Sequence, residues 1–148
     1  MTRSRRLYRI ATHVAGDQEQ AGRELARLRG QLQQQEEQLE RLRDYCQGYH
    51  EQLVEARKRG GTAARLANYS MFLARLTEAI GQQEQNVAAV QRAYEEQRQV
   101  WIRARARVQA VEKAAERCAA DEERVEDRRE QRENDDLSIS RLLRGNQS

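Results

Sequence analysis

Residues 66–111 read LANYSMFLARLTEAIGQQEQNVAAVQRAYEEQRQVWIRARARVQAV. Within them Leu66, Tyr69, Leu73, Leu76, Ile80, Gln83, Val87, Val90, Tyr94, Gln97, Trp101, Ala104, Val108 and Val111 recur at alternating steps of three and four. Such a spacing keeps one stripe of a helix against a neighbour as the two supercoil, so the stretch predicts a coiled-coil helix. The phase holds through Ala115, Cys118, Glu122 and Val125. Upstream the same spacing runs Leu7, Ala11, Val14, Gln18, Ala21, Leu25, Leu28, Leu32, Gln35, Leu39, Leu42, Cys46, Tyr49, Leu53, Ala56.

Between the two runs lies Arg57-Lys58-Arg59-Gly60-Gly61-Thr62. Paired glycines permit the positive φ that ends a helix, and Thr62 can cap the next one. The segment therefore reads as the tip of a hairpin. Folding there sets Leu53 opposite Tyr69, Cys46 opposite Leu76, Leu28 opposite Tyr94, and the small Ala21 opposite Trp101. The expected fold is all-α: two long helices forming an antiparallel coiled-coil hairpin, the second longer than the first. Helix one is expected over about 5–58, the tip over 59–62 and helix two over about 63–132. Together they make a hairpin domain over 1–134, followed by a flexible tail over 135–148. Beyond Ala115 no residue of helix one is left to pair, and the charged run from Asp121 to Glu130 is expected to be solvated. Gly16, Gly22, Gly30, Gly48 and Gly81 all fall outside the seam and are expected to be tolerated there.

Composition agrees. The 148 residues include 27 basic and 24 acidic side chains, a net charge of +3, and not one proline, the balance of a long helix rather than a compact globule. No apolar stretch is long enough to cross a membrane, and none follows the basic N-terminus as in a secretory signal. A cytoplasmic protein with reduced thiols at Cys46 and Cys118 is expected. His13 and His50 stand at no metal-ligand spacing with them. A two-helix coil offers no concave, water-shielded site, so no catalytic residue, cofactor or metal is expected.

Two surface features point to partners. Tyr45 and Phe72 lie beside the seam, on the edge shared with Gln38 and Ala79; Leu42, Tyr49 and Leu76 adjoin them. The result is an apolar, aromatic-bearing patch near the tip, readable either as wide packing or, as favoured here, as a docking surface. At the other end Arg98, Arg103, Arg105 and Arg107 crowd near Trp101, and Arg3, Arg5, Arg6 and Arg9 add to the charge. A net charge of +3 is too small for strong nucleic-acid binding, so an acidic protein surface fits better.

The motifs Asp44-Tyr45-x-x-x-Tyr49-x-x-x-Leu53 and Asn68-Tyr69-x-x-Phe72-Leu73-x-x-Leu76-x-x-Ala79-Ile80, with the later Trp101, resemble the flagellar export protein FliJ family. The resemblance implies a non-enzymatic component of the flagellar type III export apparatus, cytoplasmic and only peripherally associated with the inner membrane. It would act as a central stalk coupling a hexameric export ATPase to the export gate, and it would escort export chaperones. It implies that Gln38, Leu42, Tyr45, Tyr49, Phe72, Leu76 and Ala79 meet the cytoplasmic domain of the gate. The end carrying both termini would enter the ATPase ring, with Arg3, Arg5, Arg6, Arg9, Arg103, Arg105 and Arg107 as its contacts. The sequence departs from the family in having Gln83 where a histidine is common, and the stretch from Asp135 onward matches nothing in it. The alternatives are the related stalk of a virulence-type type III secretion system, or a coiled-coil scaffold with no ATPase contact.

Overall fold

A computed structural model describes residues 2–146. They form two helices packed against each other, α1 (Arg3–Lys58) and α2 (Ala63–Gly145), and no strand occurs among the described residues. The turn between them follows from its glycines. Gly60 takes φ +73°, the one positive φ among the described residues. With Gly60 left-handed, its N–H reaches the Arg57 carbonyl at 3.3 Å and the Gly61 N–H reaches the Ala56 carbonyl at 3.0 Å. These are the two bonds of a Schellman motif, which satisfy carbonyls that the end of α1 would otherwise leave open. A Cβ at residue 61 would stand 3.3 Å from that same Ala56 carbonyl, a tight contact that favours the second glycine. The Thr62 hydroxyl accepts the Arg65 N–H at 3.2 Å and caps α2.

By contacts the chain divides into two units: Gln20–Ile102, which contains the turn, and residues 1–19 with 103–148. In the turn-containing unit the buried side chains are Ala21, Leu28, Leu39, Leu53 and Gln83, all positions of the heptad seam. The helices run antiparallel here, as contacts between Tyr49 and Phe72, Gln35 and Gln83, and Ala21 and Gln97 show. The Trp101 indole also lies against Gly22, where an added Cβ would stand 3.3 Å from its Nε1, a tight contact to which the ring would have to yield.

In the other unit the seam is built from small side chains, with Ala11, Val14, Val108 and Ala115 buried alongside Ser4. Helix boundaries differ from the sequence expectation at both ends. α1 begins at Arg3 rather than near Arg5, with the Thr2 hydroxyl accepting the Arg5 N–H at 3.3 Å. That extra length lets Ser4 meet Glu122, so helix one does pair beyond Ala115. α2 continues to Gly145 instead of stopping near Arg132. The heptad ends there, but helix formation is a local matter. Gly81 is the last glycine before Gly145, and ion pairs Asp121–Arg124 at 3.4 Å and Arg129–Glu133 at 3.3 Å follow helical spacing. Every residue from Glu123 to Asn146 is exposed; Gln147 and Ser148, the end of the expected tail, lie outside the described residues.

Candidate functional site

The turn-containing unit positions an aromatic surface. Tyr49 projects from α1 at a seam position and Phe72 from α2 one place off the seam. Their rings meet with centroids 4.4 Å apart and planes tilted by 41°. Tyr69 also meets Tyr49, at 6.4 Å and 56°. Offset, tilted contacts of this kind suit the quadrupoles of the rings. Two helices cannot enclose three such rings, so Phe72 stays 40% exposed, while Tyr45, one turn before Tyr49, is 64% exposed. Met71 adds a further exposed apolar side chain beside Phe72.

Of the other expected patch residues, Leu42 and Leu76 are half-buried, whereas Gln38 and Ala79 are exposed. All seven lie within one unit, but they differ in kind. Tyr49 and Phe72 support each other and belong partly to the packing, while Tyr45 is almost entirely surface. Below the patch the seam turns polar. The Gln83 amide donates to the Gln35 backbone carbonyl at 2.9 Å and to its side-chain oxygen at 2.8 Å, and the Gln83 oxygen accepts from Asn86 at 3.2 Å. At 5% exposure this glutamine is viable only because each polar atom is satisfied.

The expected basic residues all fall in the other unit and are all exposed. Arg3, Arg5, Arg6 and Arg9 occupy the first turns of α1. On α2, Arg103 and Arg107 are one turn apart on one face, while Arg105, two residues from each, points away from it. The α2 arginines thus do not make a single patch. Arg98 belongs to the turn-containing unit and pairs with Glu95 at 3.8 Å.

A clasp at the start of α1 escaped the sequence reading. The Glu122 carboxylate accepts the Ser4 hydroxyl at 2.5 Å and the Ser4 backbone N–H at 3.1 Å, and Cys118 Sγ donates to it at 3.6 Å. These bonds, the Ser4 hydroxyl first, hold Glu122 below the ordinary carboxylate pKa. Burial and then the neighbouring Glu122 charge push the Cys118 thiol up. Placing a carboxylate on the N–H groups that open a helix also suits the helix dipole. The signal that could have found it is the heptad itself, since Glu122 occupies a seam position and Ser4 is one step before Leu7.

Among the described residues no cluster of His, Cys, Asp or Glu could hold a metal ion, and no helix is long and apolar enough to cross a membrane. A surface depression lies against the turn between Glu55, Arg59 and Arg65. The site consists of surfaces on a helix pair. A family model, that of the flagellar FliJ protein, matches residues 3–147. The chain belongs to the FliJ family. Membership over nearly the whole length makes it a flagellar export-related protein, and the helix pair seen here is the body of that family match. No characterised relative and no solved structure matches the chain.

Proposed function

We propose that this FliJ-family chain is a cytoplasmic, non-enzymatic stalk of the flagellar type III export apparatus, bound to the inner membrane only through that apparatus. The unit holding both ends of the chain engages the hexameric export ATPase, with Arg3, Arg5, Arg6, Arg9, Arg103, Arg105 and Arg107 as the basic contacts. The turn-containing unit offers Gln38, Leu42, Tyr45, Tyr49, Phe72, Leu76 and Ala79 to the cytoplasmic domain of the export gate. Export chaperones are further partners; nucleic acid is not.

The observation that carries this reading is Tyr45, 64% exposed beside a ring pair that two helices leave half open. A large aromatic left mostly in water contributes little to the fold and suits an interface, where aromatics supply rigid contact area. Support for the ATPase arm is the exposed arginine set on one unit. Titrating the chain into purified export ATPase is expected to raise hydrolysis and favour ring assembly. A separate titration into the gate domain is expected to show binding that Tyr45→Ala weakens. A chain that leaves hydrolysis unchanged would refute the ATPase arm, and full gate affinity in Tyr45→Ala would refute the patch.

A further inference from the structure

Past Glu122, whose carboxylate holds Ser4 of α1, every described residue of α2 is exposed. The apolar run breaks off in this stretch, but its three-and-four spacing does not. Val125 is followed at the same steps by Arg129, Arg132, Asp136, Ile139 and Leu143. Three aliphatic side chains, 64%, 54% and 61% exposed, thus bracket three charges on one stripe of a solitary helix, and the stripe continues the seam on which α1 and α2 pack. A coiled-coil stripe of this kind calls for a second helix.

The charges say which helix. When the stripe is reversed and laid on itself, Val125 falls opposite Leu143, Arg129 opposite Ile139 and Arg132 opposite Asp136, and each match recurs across the two-fold axis. Every match joins the two unlike seam positions that meet in an antiparallel coil. Among the described residues neither Arg132 nor Asp136 makes an ion pair. Arg129 is held at its head by Glu133 of its own chain at 3.3 Å, which leaves its aliphatic stem to lie along Ile139. Other arrangements are less favourable. Parallel chains would set Arg129, Arg132 and Asp136 each against its own copy. Sliding the antiparallel pair by one heptad sets Arg129 against Arg132 in one direction and Asp136 against Ile139 in the other.

We infer that α2 beyond Glu122 is a self-association surface, on which a second copy of this chain lies antiparallel with Arg132 of each copy paired to Asp136 of the other. The occupant is the same protein because one stripe carries both halves of the complementarity. With so few apolar matches, and with the acids Glu133 and Asp135 flanking the axis, the dimer is weak and reversible. The arginines offered to the ATPase all precede Glu122, so the inference does not rest on that reading.

Sedimentation velocity of the full chain over a concentration series tests it. The parent is expected to pass from monomer to dimer at micromolar concentrations. Arg132→Asp and Asp136→Arg each place like charges at both crossings, and each is expected to weaken dimerisation about tenfold or more. The double variant Arg132→Asp/Asp136→Arg is expected to restore it, and an equimolar mixture of the two single variants is expected to form a mixed dimer. Arg141→Asp makes the same change of charge on the opposite face of the helix and is expected to dimerise as the parent does. Circular dichroism is expected to show the parent's helix content in every variant. A parent that stays monomeric at the highest concentration, a double variant no better than the single ones, or a dimer that neither single variant weakens would overturn the inference. If the parent is monomeric and Arg132→Asp instead loses stimulation of the export ATPase, the stripe faces that partner and self-association is refuted.

Discussion

The same three-and-four spacing runs through both units, yet they use it differently. The turn-containing unit fills its seam with leucines, aromatics and hydrogen-bonded glutamines, and spills Tyr45 and Phe72 onto its surface. The other unit buries alanine, valine and a serine, and ends in a lone helix from Glu123 onward whose side chains are all exposed. Large seam residues are hard for two helices to cover, so the aromatics of the turn-containing unit meet one another at its surface, whereas the exposed apolar side chains of the other unit, such as Tyr8, Ile10 and Leu142, stand off its small-residue seam. Partner chemistry in a two-helix protein is thus set by how badly the seam fits its residues.

The contrast between the units is challenged most directly by truncating the best-covered large residue. Leu53 is 4% exposed, so Leu53→Ala is expected to cost about 2 to 5 kcal/mol, toward the low end in so thin a core. Equilibrium denaturation followed by circular dichroism reads it. Leu73, only half-buried, is expected to cost less when cut to alanine; an equal or larger loss there would mean the seam is not centred where the contacts place it.

Next comes the polar layer. Gln83→Ala strands the Gln35 groups that it satisfies, an expected loss of about 1 to 3 kcal/mol. Gln83→Leu is expected to recover that stability while loosening the alignment of the helices, since a buried polar pair is a device for register. Spin-label distances across the helices of this unit would widen in distribution for Gln83→Leu and stay narrow for the parent.

In the other unit the expected effect is smaller and depends on pH. Ser4→Ala removes the main hydrogen bond to Glu122 and is expected to destabilise the chain less than Gln83→Ala does. Because the folded pKa of Glu122 is lowered from 4.5, its contribution is complete above about pH 4.5 and is lost as pH falls through the lower folded value. Hydrogen exchange in the first turns of α1 should accelerate over that acid range in the parent. The Glu122→Gln variant should show a flatter profile, and an unchanged one would mean the carboxylate does not hold the helix start.

The smallest effect on stability is expected where the effect on binding is largest. Tyr45→Ala should leave the melting temperature nearly unchanged, while Phe72→Ala should lower it slightly because Tyr49 loses its ring partner. An early melt in Tyr45→Ala would turn the patch into ordinary packing and erase the contrast between the units.

The helix pair, its turn and its seam were all legible along the chain. The heptad is a one-dimensional pattern that only helices can use, and two adjacent glycines before a threonine form a local stop and start. Each buried apolar residue, from Ala11 to Ala115, was already on that seam. The surroundings of Gly22 and Glu122 could not be read the same way. At position 22 the governing fact is a glycine beneath Trp101, and at Glu122 it is the nearby start of α1. Those two contacts emerge only in the folded chain, as do the continuation of α2 to Gly145 and the division of the aromatic patch into packed Tyr49 and exposed Tyr45. Each depends on which atoms meet across the helices or on where packing stops mattering to a helix, and spacing along one chain contains neither.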